Sequence, residues 1–187
     1  MKVTVVRIRP APGGWKHFRM ITVRVAAADD LPVVWSLSVL PNVGHTADPA
    51  VPFPLPPAES FPPAAFGDLA DPDRSFAGAG GELLVADLDG HIAAMGGFRP
   101  VADVPGSIEI RRVRVHPALR RRGLGRAVMT RLEADAAALG YQHACLDTAA
   151  NQPEAVAFYT GIGYREIGRE TQPDWDWTLV YFIKDLA

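Results

Sequence analysis

The segment Ser107-Ile-Glu-Ile-Arg-Arg-Val-Arg-Val115 constrains the fold more than any other. It has the β-branched content of a strand, yet its alternation breaks in the middle. Ile108 and Ile110 share one face, while Val113 and Val115 have the opposite parity. Side chains alternate with a period of two, so one extra residue near Arg111–Arg112 returns both pairs to one side, and the pattern predicts a β-bulge there. A central strand buried on both faces is the alternative. Downstream, Arg120-Arg-Arg-Gly-Leu-Gly125 leads into a helix expected over about 123–139. Leu124, Val128, Leu132, Ala136 and Leu139 recur there at helical spacing. Gly123 and Gly125 let backbone amides meet a ligand with no side chain in the way. Free amides and partial positive charge at a helix start favour anions. With three consecutive arginines beside it, this junction suits a pyrophosphate. A capped helix beside a solvated arginine run is the alternative.

Around this junction the chain reads as mixed α/β. Strands are expected at 3–9, 20–26, 82–87, 91–98, 143–147, 164–169 and 178–184. Asp89-Gly90 signals a hairpin between the third and fourth of these. A first helix, capped by Asp29 or Asp30 with Pro32 in its first turn, runs to about Leu40. A short helix over 154–162 is entered at Gln152-Pro153 and closed by Gly163. Residues 41–67 form an irregular insertion, because eight of the 17 prolines lie between Pro41 and Pro63. Proline donates no amide hydrogen bond and blocks both helix and central strand. Met20 is a plausible alternative start, so residues 1–19 read as an N-terminal extension supplying an extra strand, and 20–187 as the main domain.

Charge narrows the partners. The 187 residues carry a formal net charge of -2, yet seven of the 19 Lys and Arg side chains fall between Arg111 and Arg126. A local patch on a slightly acidic chain suits a small anion better than a long nucleic acid, and no aromatics interleave it. The single cysteine, Cys145, excludes an internal disulfide framework. The histidines (His17, His45, His91, His116, His143) lack metal-ligand spacing, so no metal is expected. No apolar run approaches a membrane span, and Arg7 and Arg9 interrupt any signal-peptide core, so the expectation is a soluble, cytoplasmic protein without a membrane partner.

Two nucleotide motifs fail on the glycine loop. Val128 stands where the third glycine of GxGxxG belongs, and no Gly-Lys-Ser/Thr follows for a triphosphate loop. What remains, Arg/Gln-x-x-Gly-x-Gly/Ala at a strand-to-helix junction, resembles the coenzyme A loop of the GNAT superfamily of N-acetyltransferases. A second segment, NQPEAVAFYTGIGYREIG, carries Asn151, Ala155, Tyr159, Gly163 and Tyr164. It resembles that superfamily's Asn-x-x-Ala-x-x-x-Tyr followed by Gly-Phe, with Tyr164 in place of the phenylalanine. The resemblance covers about residues 20–186.

The resemblance implies a three-layer GNAT-type fold. Its central twisted mixed sheet of about seven strands has helices on both faces, and its fourth and fifth strands, here 107–115 and 143–147, splay apart. Acetyl-CoA would enter that gap as co-substrate. Val113, Arg114 and Val115 would hold the thioester and pantetheine, and Arg120, Arg121, Arg122, Gly123, Leu124, Gly125 and Arg126 the pyrophosphate. Asn151 would contact the pantetheine side. Direct attack by an amine requires that the ammonium lose a proton, the oxyanion be stabilised and the thiolate be protonated. A phenol of pKa about 10 suits a thiolate of pKa about 8.5, and Tyr159 holds the family position for that acid. Glu109 is a candidate base, or else pairs with Arg111 or a neighbouring strand arginine; His116 is another titratable candidate. Cys145, between Ala144 and Leu146, reads as a buried inert thiol.

The implied activity is acetyl transfer to a small-molecule amine; the alternative is a non-catalytic acyl-CoA-binding module. Residues 41–67, with Phe53, Phe61 and Phe66, are expected to border the acceptor site as a lid, to form a homodimer contact, or to be a mobile loop. In 170–177, Asp174 and Asp176 alternate with Trp175 and Trp177, an arrangement that suits a cationic acceptor. Tryptophans plugging the core edge beside solvated aspartates are the alternative.

Overall fold

A computed structural model of the chain describes residues 4–8, 19–42, 47–58, 64–174 and 176–186. Its strands are β1 (Thr4–Ile8), β2 (Arg19–Val25), β3 (Glu82–Leu88), β4 (His91–Pro100), β5 (Ser107–Val115), β6 (His143–Ala149), β7 (Arg165–Glu170) and β8 (Leu179–Asp185). Its α-helices are α1 (Leu31–Ser38), α2 (Pro72–Ser75), α3 (Leu124–Ala138) and α4 (Pro153–Gly161). The strands form one mixed sheet in the order β1-β2-β3-β4-β5-β6-β8-β7. The eighth strand is β1, which pairs antiparallel with β2. Because β1 precedes the rest, the fourth and fifth strands of the expected fold are β5 and β6 here. Phe61, Trp175, His17 and His45 lie outside the described residues.

Alternation places a core on each face of the sheet. Along β3, Leu84, Ala86 and Leu88 join one buried cluster with Val128 and Leu132 of α3. Leu83 and Val85 join the other, with Val34 and Leu37 of α1 and with Leu55, Leu69 and Phe76. A strand apolar on both faces is thereby covered on both. Burying one such side chain stabilises by roughly 1.5–3 kcal/mol. Among the described residues no helix is long and apolar enough to cross a membrane.

The first helix departs from its expected cap. Asp30 precedes α1 without capping it through its side chain. Its carboxylate instead takes Arg24 of β2, with Nη2 to Oδ1 at 2.9 Å, and the Ala27 amide at 2.7 Å. Arg24 and the Ala27 amide together occupy both carboxylate oxygens, which leaves neither for the amides of α1. The proline-rich segment is tied down over its described part. Ser36 donates to the Pro56 carbonyl at 2.7 Å, and the Ala58 amide to that of Pro32 at 2.8 Å. The Trp35 indole donates to the Leu69 carbonyl at 2.7 Å.

Candidate active site

The predicted bulge is present in β5. Gly97 of β4 faces Arg111 and Met95 faces Arg114, so Gly96 alone opposes both Arg112 and Val113. Arg112 takes the extra position with φ +56°. The slip brings Val113 and Val115 back to the cluster that buries Ile108 and Ile110. Arg112 is secured from outside the sheet. Its Nε lies 3.0 Å from both carboxylate oxygens of Asp68, and its guanidinium stacks 4.8 Å from the Phe66 ring centroid.

On its other edge β5 pairs with β6 through three parallel rungs only, Ser107–His143, Ile108–Ala144 and Glu109–Cys145. Beyond them the two strands part, while β6 stays paired along all its length with β8 on its other edge. The gap opens into a cleft of about 950 Å³ lined by both strands and the starts of α3 and α4. Backbone of β5 from 110 onward faces this gap without a strand partner on that side.

At one end the cleft meets the start of α3. Gly123 precedes the helix with φ +97°, a conformation costly for a residue with Cβ. Arg121, two residues earlier, is also left-handed, with φ +64°. No side chain caps α3, so its first amides are available to an anion. Gly125 also lines the cleft, and a Cβ there would lie 3.3 Å from Phe158 and 3.5 Å from Val115. Its missing side chain lets α3 seat against α4 and β5.

Val113, Arg114, Val115, Arg120, Arg121, Leu124, Arg126 and Asn151 all line the cleft with the two glycines. Arg122 stands outside its wall and donates to the Ala118 carbonyl at 2.9 Å. Arg120 donates to the Val115 carbonyl at 3.1 Å. Arg114 is the notable member, because its Nη1 is buried without a hydrogen-bond partner among the described residues. Burial first, then Arg120 and Arg112, lower its proton affinity. A buried cation with an unmet donor fits an anionic ligand carrying acceptor oxygens, as the phosphates and amide carbonyls of a coenzyme A would. Among the described residues no group of His, Cys, Asp and Glu is placed to hold a metal.

Tyr159 and Glu109 also line the cleft. Tyr159 is 8% exposed and packs against the rings of Phe158, Tyr164 and Phe182, with centroids 5.3, 6.0 and 6.2 Å away. Burial, then the charge of Asp147, push its phenol well above the ordinary range, so it carries its proton at any physiological pH. The Glu109 carboxylate is shared between Arg99, at 3.1 Å, and Arg111, at 3.5 Å. Sequence reasoning left Asp147 of β6 without a role. A carboxylate closing an otherwise apolar strand, His-Ala-Cys-Leu-Asp, was the available signal. Its side chain is reached by solvent through the open cleft, yet the walls stand close enough that burial, and then Glu109, raise its carboxyl.

His116 and Cys145 stay out of the cleft. Burial and then Glu109 raise the Cys145 thiol, as for an inert one. His116 is fully buried; its Nε2 lies 3.0 Å from the Pro52 carbonyl and its Nδ1 accepts the Ala118 amide at 3.2 Å. Phe53 meets its ring edge-on at 5.2 Å. The imidazole joins the proline-rich segment to the loop before α3. From residues 41–67 only Asn42 reaches the cleft wall among those described. Phe53 and Phe66 pack inward, on His116 and under Arg112. At the far end Trp177 and Leu179 line the cleft, while Asp174 and Asp176 are exposed.

Residues 50–164 match the sequence profile of the acetyltransferase (GNAT) family. Comparison with curated proteins gives no match. Solved structures are similar in fold. A GNAT-family acetyltransferase from Staphylococcus aureus Mu50 is 14% identical, with a TM-score of 0.69 over 89% of this chain and 99% of that one. The yncA protein of Salmonella typhimurium, solved with its cofactor acetyl-CoA, is 17% identical, with a TM-score of 0.65 over 89% and 94%. A phosphinothricin acetyltransferase from Sinorhizobium meliloti, in complex with acetyl-CoA, is 19% identical, with a TM-score of 0.68 over 89% and 88%.

Proposed function

Since this chain belongs to the acetyltransferase (GNAT) family and is an acyltransferase, we propose that it moves an acetyl group from acetyl-CoA to the amine of a small molecule. The observation that carries this reading is the parting of β5 and β6 after three rungs, with the uncapped start of α3 at one end. A thioester bound there supplies an activated acetyl group. Amides of residues 123–126, with Arg120 and Arg121, hold the pyrophosphate. The unpaired edge of β5 at Val113 and Val115 holds the pantetheine arm, Arg114 meets its polar groups, and Asn151 closes the far side. Tyr159 gives its proton to the departing sulfur. Glu109 is held by its two arginines beside the reacting end. Residues 1–19 add β1 to a domain running from about residue 20.

Calorimetric titration tests the first step. Micromolar affinity for acetyl-CoA is expected, lost in Gly123→Trp because bulk at the start of α3 blocks the pyrophosphate. A folded Gly123→Trp variant that binds as well as the parent removes the coenzyme assignment. Release of free thiol in an amine screen then distinguishes transfer from binding alone.

A further inference from the structure

We propose that Asp147 is the general base, receiving the acceptor's ammonium group at the mouth of the β5–β6 gap and taking its proton. The inference rests on the acetyl-transfer reading above. Three carboxylates line the cleft: Glu109, Asp147 and Glu154. Glu154 lies beside Arg120, at the anion-binding end. Glu109 is occupied by Arg99 and Arg111. Its carboxylate is turned to those two guanidiniums and is not free to receive an ammonium group. Among the described residues no side chain forms a hydrogen bond or ion pair with the Asp147 carboxylate.

Its position in the sheet supports the same role. The last rung joins Glu109 to Cys145. Asp147 lies two residues further, on the face Cys145 shares, where β6 has left β5 and the bulge begins across the gap. Glu109, Arg111 and Arg112 face it from β5, Tyr159 from α4, and Tyr181 is its partner in β8. Tyr181 is itself engaged, its hydroxyl donating to Glu170. Base and acid therefore stand on two walls of one cleft. The raised proton affinity of Asp147 is in the direction a base near neutral pH needs.

The proton balance closes with these two residues. Asp147 takes one proton from the ammonium, and the freed lone pair forms the N–C bond at the thioester carbonyl. As the C–S bond breaks, Tyr159 gives its proton to sulfur. The nitrogen loses a second proton, which returns through solvent to Tyr159. Asp147 releases the first to solvent, leaving amide, thiol and one proton.

The test uses the full chain, the amine that wild type acetylates best, and Asp147→Asn. The expected loss in kcat is roughly 10²–10⁴-fold with unchanged acetyl-CoA affinity, and the acidic limb of kcat/KM should vanish. Carbon-13 carboxyl titration of the protein alone should show one aspartate midpoint above the ordinary range, absent from Asp147→Asn. An Asp147→Asn enzyme with undiminished turnover and an intact acidic limb overturns the assignment while leaving acetyl transfer standing. So does loss of that limb in Glu109→Gln alone. Wild type that binds no acetyl-CoA overturns the acetyl-transfer reading itself, and the base assignment with it.

Discussion

In the proposed reaction Tyr159 combines an apolar burial with a polar task, and burial sets the terms of that task. A phenol raised by desolvation holds its proton and is a weaker acid than a free one, so it gives the proton up only as negative charge builds on the leaving sulfur. Tyr159→Phe should lower kcat by roughly 10²–10⁴-fold, with coenzyme affinity held by the loop and the strand edge. Steady-state kinetics beside a binding titration will show it, and unaltered turnover would mean that water protonates the sulfur. His116 has a structural task instead. Its folded form favours the neutral ring, because burial lowers its pKa and Arg120 adds repulsion against the Pro52 contact that raises it. The folded state then binds fewer protons than the unfolded one, so this stabilisation is complete above the unfolded value of about 6.5. It is lost as pH falls below that value toward the lowered one. Thermal unfolding should give a midpoint that drops from pH 7.5 to 5.5 more steeply in wild type than in His116→Gln. Equal slopes would dismiss the imidazole as the source.

The bulged strand β5 shows what an element can do that its residues cannot do singly. One extra residue restores the apolar face and aims Arg112 out of the ladder at Asp68. That pair, 20% and 12% exposed, ties the bulge to the end of the proline-rich segment. A double-mutant cycle of Arg112→Gln and Asp68→Asn in urea should give a coupling of about 1–3 kcal/mol. A value near zero would mean that β4 alone maintains the bulge. Much of this was legible in the residues. The parity fault between Ile110 and Val113 located the bulge, Asp89-Gly90 located the hairpin, and Gly123 located the left-handed turn before α3. What stayed hidden depended on partners distant in the chain. Asp30 looked like a cap until Arg24 of the neighbouring strand was beside it. That Gly125 also leaves room for Phe158, 3.3 Å from where its Cβ would be, depended on α4, a helix far along the chain. Asp147 had no evident role, because the parting of β6 from β5 that leaves it on the cleft wall depends on how two distant strands pair.

As a whole the sheet is two antiparallel ladders joined at one corner. The first, β1 to β5, links each strand to its predecessor in sequence. The second, β6-β8-β7, has the last strand of the chain at its centre. Until β8 enters, β7 has no strand partner and β6 has only its three rungs to β5. The β3–β4 hairpin closes over the turn Asp89-Gly90, with less loop entropy lost than the pairing of β6 with β8, which α4 and β7 separate. The order of assembly follows. In pulse-labelled refolding, the amides of Leu84 and Met95 should become protected before those of Leu146 and Thr148. Simultaneous protection would contradict it. A ribosome releasing this chain therefore completes one wall of the cleft early, and the second wall has to wait for the C-terminal strand to emerge.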